Sequence, residues 1–169
     1  SAENWVESAH ALPSPHPKLP LNRWFYFPGF TPATGGLLRE AALLESRDAY
    51  QRDAIAQTAM WQAIGIAPPA SALKVSLFCY ANPALPALLD TWAEGDEAVV
   101  CVVPEGVALP ELDRWTGGAV PHPGQPAVHG RLTLAVANFV DQDAFDRRLW
   151  SCDLNFVRGE DSFVRAQWA

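Results

Sequence analysis

The sequence is poor in the residues that build metal centres, disulfide frameworks and nucleic-acid surfaces. Its 169 residues include three cysteines and four histidines. Cys79, Cys101 and Cys152 are odd in number and spaced too widely for a zinc knuckle. Each lies in or beside an apolar run, so they read as buried free thiols of a reducing, cytoplasmic compartment. His10 and His16 fall in the N-terminal segment, and His122 and His129 in a proline-rich stretch. None sits at the end of an expected strand, which leaves no support for a metal site or a histidine-activated nucleophile. Twelve Lys and Arg against nineteen Asp and Glu give a net charge of −7, with no basic stripe. Nucleic acid is therefore disfavoured, because backbone recognition needs clustered positive charge. No stretch approaches the roughly 20 apolar residues of a membrane span. An initiator methionine is missing, and the helical pattern at 163–169 meets no stop signal. Both features lead to the expectation of a piece of a longer protein.

What is present is globular: 49% of residues are apolar and 18% charged, which places the chain far from the disordered regime. Residues 4–10 can form two helical turns, after which Pro13, Pro15, Pro17 and Pro20 impose extended backbone. Trp24 to Phe27 is expected as a strand, ended by Pro28-Gly29. Arg47 to Ile64 has helical composition and stops at Gly65. Trp24 and Trp61 are expected as interdomain or core residues. Residues 1–30 read as the end of one domain with an extended linker, 31–72 as an interdomain loop and helix, and 73–169 as the first part of a second domain.

From Lys74 onward strand and helix alternate. Val75 to Tyr80 reads as a strand, and Asn82-Pro83 as the start of a helix running through Ala84 to Trp92. Ala98 to Val103 is a continuous apolar run, the mark of a strand covered on both faces. Leu132 to Ala137 is a strand, Gln142 to Trp150 a helix, Leu154 to Val157 a strand, and a last helix opens at Ser162. Short connections between alternating elements require a parallel sheet with crossover helices, an α/β Rossmann-like fold of which about half is present. Residues 104–131 alternate proline and glycine, leave room for a short turn of helix near Glu111 to Trp115, and read as a surface excursion.

In such sheets ligands bind outside the C-terminal strand ends, which singles out 78–82, 138–142 and 158–162. In the last loop Gly159 permits a tight turn, Asp161 or Ser162 can cap the helix, and Arg158 offers a bidentate donor to phosphate or carboxylate. Glu160 and Asp161 suit the hydroxyls of a sugar, although first-turn acids are also favoured by the helix dipole alone. Phe78 and Tyr80, two apart on one strand, can wall a pocket for a base or deoxysugar or simply pack. Phe139 can stack on a base. Thr34-Gly35-Gly36 lacks the lysine of a phosphate-binding P-loop.

The runs Leu149 to Trp168, Pro28 to Glu40 and Ser76 to Asp90 closely resemble the bacterial protein-arginine rhamnosyltransferases that act on translation elongation factor P, and Trp5 to Pro17 is similar to the family's preceding segment. The resemblance implies a GT-B arrangement of two Rossmann-like domains. It also implies inverting transfer of rhamnose from dTDP-β-L-rhamnose to an arginine of elongation factor P, without metal or further cofactor. On this chain Phe78 and Tyr80 match the family's Phe-x-Tyr pair, Phe139 the residue that stacks on thymine, and Gln142 a donor-contacting glutamine. Arg158, Gly159, Glu160, Asp161 and Ser162 match its diphosphate- and sugar-binding loop. Ala81, where the family commonly has glutamate, and Ala137 to Asp141, where Leu-Pro-Phe-Leu-Pro is more usual, depart from the pattern. The family's catalytic aspartates are expected upstream of Ser1, so the isolated chain is expected to be inactive, with Glu160 and Asp161 in support. The alternative from another class is a noncatalytic nucleotide- or protein-binding module on the same fold.

Overall fold

The computed structural model describes residues 5–169, and the chain divides into two compact units, 1–41 and 42–169. In the first, helix α1 (Val6–Ala9) makes one turn rather than two; Asn4 lies outside the described residues. Strands β1 (Pro13–Pro15) and β2 (Asn22–Trp24) pair antiparallel, Ser14 opposite Arg23. Proline is tolerated because a two-stranded ribbon needs donors from only one edge of each strand. The strand expected at Trp24 to Phe27 thus lies earlier: Phe25 to Phe27 leave the ladder, and the Phe27 amide donates instead to His10 Nδ1 at 3.1 Å. Trp24, 63% exposed, belongs to no core.

The second unit opens with two helices, α2 (Leu43–Arg52) and α3 (Ala54–Ala63), where composition led to one. Asp53 divides them. Its backbone leaves the helical region, and its carboxylate accepts from the amides of Ile55 and Ala56 at 3.0 and 2.9 Å, capping α3. Gly65 ends α3 with φ +81°, a left-handed conformation available at little cost to glycine. A Cβ there would also meet the Gly124 carbonyl at 2.5 Å.

Beyond these helices come β3 (Leu73–Leu77), α4 (Leu85–Glu94), β4 (Val99–Pro104), α5 (Leu109–Thr116), β5 (Ala127–His129), β6 (Leu132–Ala137), α6 (Gln142–Trp150), β7 (Leu154–Phe156) and α7 (Glu160–Ala166). The sheet order is β5-β6-β4-β3-β7, all neighbours parallel except β5 against β6. The sheet is therefore mixed, with one antiparallel edge strand. That strand belongs to the 104–131 excursion, which also supplies the full helix α5 with Leu112 buried. A reading of this segment as surface with one helical turn underestimated it, because a three-residue edge strand carries almost no periodic signal.

Helices cover both faces. Val99, Cys101 and Val103 of β4 join Val75, Leu77, Leu132 and Leu134 under α4 and α5. The alternate residues Val100 and Val102 join Ala135 and Ala137 under Trp61 of α3 and Ile64 just past its end. The period-2 alternation of a strand thus feeds two cores at once, and complete burial of each Leu or Val is worth about 1.5–3 kcal/mol. Trp61 is a core residue, 6% exposed.

Candidate functional site

The chain runs outward from β3 through β4 to β6, then crosses back to lay β7 on the other side of β3. The reversal makes the gap between β3 and β7 the topological switch point, where side chains from separate loops converge beyond the strand ends. β3 ends at Leu77, so Phe78 and Tyr80 stand in the loop rather than on the strand. The Phe78 amide still donates to the Phe156 carbonyl at 3.0 Å, fixing the loop to β7. Tyr80 is 64% exposed, while Phe78 is half-buried, with its ring edge-on to Phe145 at 6.0 Å.

Arg158 returns across this gap. Its guanidinium carbon lies 4.6 Å from the Phe78 ring centroid and 5.1 Å from that of Tyr80. One amino group reaches the Cys79 carbonyl at 3.5 Å, the limit for a hydrogen bond. The aromatic pair that could wall a pocket therefore cradles a cation. Next comes Gly159 at φ +75°, and α7 begins immediately at Glu160. This corrects two expectations: the helix starts two residues before Ser162, and Gly159 is its N-cap, with no side-chain cap from Asp161 or Ser162. With the backbone turned by glycine, Glu160 and Asp161 occupy the first helical turn, both exposed.

The third loop follows β6. Asp141 caps α6 by accepting from the Ala144 amide at 2.9 Å, which leaves Phe139 66% exposed just ahead of the helix. Phe78, Phe139, Gln142 and Ser162 then line one cleft of about 180 Å³, closed by Phe145 and Arg148. Four of the nine site residues read from the sequence meet there, from all three strand ends. Arg158 adjoins the cleft through Phe78; Tyr80, Gly159, Glu160 and Asp161 surround it without lining it. Its volume is below the about 300–1,000 Å³ of a complete ligand pocket, and it suits one ring of a larger molecule.

Two buried charges behind this cleft escaped sequence reasoning. Asp146, 3% exposed, accepts from Gln142 Nε2 at 3.0 Å and from Arg165 Nε at 2.9 Å, and a second Arg165 nitrogen, Nη2, pairs with its other oxygen. Arg148, 4% exposed, donates to the Asn138 carbonyl at 3.3 Å, and burial pushes its pKa down. The signal was helical spacing: Gln142, Asp146 and, one residue earlier, Phe145 recur at i, i+3 and i+4 on α6. A larger cavity of about 510 Å³ on the far side of Arg148 is lined by Met60, Ile64, Val136 and Ala144. It is mainly apolar and shares only Val140 and Arg148 with the cleft. Among the described residues no cluster of His, Cys, Asp and Glu has the composition to hold a metal ion.

Comparison with known proteins agrees with the resemblance. Residues 1–169 match the family described as Elongation-Factor P (EF-P) rhamnosyltransferase EarP. The protein-arginine rhamnosyltransferase of Pseudomonas putida is 52% identical over 169 residues, which is all of this chain and 45% of that protein. Those of Pseudomonas aeruginosa and Neisseria meningitidis are 45% and 30% identical, again over the whole chain and 45% and 43% of their own lengths. A solved structure concerned with EarP-mediated arginine glycosylation of translation elongation factor EF-P aligns with a TM-score of 0.79 at 49% identity, over 85% of this chain and 47% of that one. The chain spans just under half the length of these relatives, and it belongs to the EF-P rhamnosyltransferase EarP family.

Proposed function

We propose that this chain carries the donor-binding part of a cytoplasmic GT-B enzyme that transfers rhamnose from dTDP-β-L-rhamnose, with inversion, to an arginine side chain of elongation factor P. The observation that carries the reading is the convergence of Phe78, Phe139, Gln142 and Ser162 from three strand ends on one cleft beside the switch point. In this reading Phe139, exposed at the cleft edge, stacks on the thymine. Arg158 meets the diphosphate, and Glu160 and Asp161 accept from sugar hydroxyls. Among the described residues no helix is long and apolar enough to cross a membrane.

The chemistry sets what the rest of the enzyme supplies. A guanidinium nitrogen of the acceptor attacks the anomeric carbon from the face opposite the diphosphate. The C–N bond forms as the C–O bond breaks, and the electron pair leaves with dTDP. Because arginine holds its proton above pH 12, an adjacent carboxylate must take that proton as the bond forms. The family resemblance matches no such carboxylate on this chain, so the proton acceptor is assigned to another part of the enzyme. Arg158 stabilises charge developing on the leaving diphosphate, and the acids of α7 stabilise positive charge developing on the sugar. No metal or further cofactor is needed in this scheme.

Isothermal titration of dTDP-β-L-rhamnose into the full-length protein and its Glu160→Ala, Asp161→Ala and Tyr80→Phe variants tests the reading. Loss of affinity in both acidic variants is the expected result. Unchanged affinity in all three would leave Glu160 and Asp161 as first-turn acids favoured by the helix dipole alone and favour a noncatalytic module.

A further inference from the structure

The Gln142 side chain is the one amide lining the cleft, and its function depends on which end it presents. An amide can turn by 180° at little cost unless a neighbour distinguishes oxygen from nitrogen. Asp146 makes that distinction. An ionised carboxylate only accepts, so it takes Nε2–H of Gln142, 3.0 Å away, and rejects the amide oxygen. Asp146 is itself held in one orientation by the fork of Arg165, which engages both of its oxygens. The carboxylate is 3% exposed and the Arg165 side chain 13%, so water offers little competition for their contact, which Gln142 joins from the exposed side. Arg165 lies on α7, seven residues after Arg158, while Gln142 and Asp146 lie on α6. One buried carboxylate therefore joins the helix that follows β6 to the helix that follows β7.

We propose that Asp146 is a positioning residue for donor binding: it fixes the Gln142 amide with nitrogen inward, so that Oε1 is offered to a hydrogen-bond donor on the ligand, and Arg165 locks it in that role. Among the described residues Oε1 has no hydrogen-bond partner. The inference rests on the reading of the cleft as the donor site, and it adds a selection rule. The group of the nucleotide sugar that meets Gln142 is an N–H or O–H, as a thymine imide or a sugar hydroxyl supplies, and not a bare acceptor.

The substitution Asp146→Leu removes the acceptor and keeps the volume. Asparagine is not the test, because the Asp146 oxygen that takes Nε2–H of Gln142 also takes Nε–H of Arg165, and an amide oxygen at that place keeps both contacts. With no acceptor behind it the Gln142 amide is free to turn. Affinity of the full-length protein for thymidine diphosphate is measured by titration calorimetry for the wild type, Gln142→Ala, Asp146→Leu and the double variant, with thermal midpoints recorded alongside. The expected outcome is a loss of about ten-fold in Gln142→Ala, the scale of one hydrogen bond to a well-placed group, and of about three- to ten-fold in Asp146→Leu, the scale of ordering one freed side chain on binding. The double variant should be no weaker than Gln142→Ala by more than about two-fold, because both act through one amide. Additive losses would overturn the proposal, since a merely structural carboxylate lowers affinity whether or not Gln142 is present. Full affinity in Asp146→Leu with loss in Gln142→Ala would overturn it while leaving the cleft reading intact. Full affinity in Gln142→Ala would sink both. Asp146→Leu combined with Arg165→Met replaces the buried pair by apolar side chains and provides the second reading if Asp146→Leu alone does not fold. It should lose affinity in the native background and not in Gln142→Ala, and equal losses in the two backgrounds would refute the coupling.

Discussion

Replacing Arg158 by alanine separates the phosphate from the base in the proposed donor site. This guanidinium lies 4.6 and 5.1 Å from two ring centroids, with one hydrogen bond to a described residue stretched to 3.5 Å. At a partly exposed position each cation–π contact is worth about 0.5–1 kcal/mol. These contacts hold Arg158 by only about 1–2 kcal/mol, and among the described residues its other N–H groups have no hydrogen-bond acceptor. A charge-assisted contact to a diphosphate is worth about 1.5–3 kcal/mol. Arg158→Ala in the full-length protein should consequently weaken thymidine diphosphate by about 10- to 150-fold. Thymidine, which brings no phosphate, should change by no more than about two-fold. Calorimetry suits the diphosphate, and ligand-observed NMR suits the weaker nucleoside. Arg158→Lys should recover part of the loss, since an ammonium keeps the charge without the fork. Equal losses for the two ligands would refute the reasoning by making Arg158 a support of the aromatic wall. No loss for the diphosphate would remove it from the phosphate site altogether. The same geometry explains the choice of Tyr80→Phe as a probe: the ring that faces Arg158 is kept, so any change in donor affinity belongs to the hydroxyl.

Gly159→Ala should weaken donor binding without unfolding the domain. A Cβ at φ +75° and ψ 171°, a region essentially reserved for glycine, strains the backbone by about 1–3 kcal/mol, while the nearest atom it would meet, Tyr80 Oη at 3.9 Å, is at ordinary contact distance; a thermal midpoint lowered by more than the strain allows would show that the turn supports the fold instead. The three thiols should alkylate in a fixed order near about pH 8, Cys79 first and Cys101 only on unfolding, because reaction needs thiolate. Burial pushes the Cys152 pKa from 9.0 up to about 12 and raises that of fully buried Cys101 further, whereas half-buried Cys79 is raised by burial and then by the Glu111 charge. With folded values above unfolded ones, the unfolded chain releases these protons first, so stability is complete below about pH 9 and falls between about pH 9 and 12. A thermal midpoint that rises across that range, measured by calorimetry, would contradict the assignment.

The parts of this fold that were legible in the sequence are those whose boundaries are set locally. The strand Leu132–Ala137 and the helix Gln142–Trp150 were read with their observed limits. The apolar run of the strand stops at Asn138, and Asp141 is both the end of the loop and the cap of the helix. The start of α7 was misplaced because Glu160, Asp161 and Ser162 are all credible first-turn or cap residues. Gly159 decided the matter through a backbone angle that composition does not encode. The break at Asp53 was missed for a related reason: helix formers flank it, and only the pair of amides it captures reveals that one helix has ended and another begun.

The site divides along the same line. The three loops were placed at one end of the sheet by topology, since a parallel sheet sends its loops to one end whatever their detailed packing. The charges behind them were not. Asp146 and Arg165 are 19 residues apart, on two helices whose relative rotation depends on the length of the intervening strand and on the turn at Gly159. Helical spacing could join Gln142 to Asp146, but it could not show that Asp146 is buried, or that its second partner comes from α7. Burial is what gives the contact its consequence. On an exposed helix face an i, i+4 pair is worth about 0.2–0.5 kcal/mol and leaves the glutamine free to turn. Here the carboxylate is buried and held from behind by an arginine, and it selects one end of the amide. The chemistry displayed in the cleft is therefore set one layer beneath it, by a residue that has no surface of its own to offer a ligand.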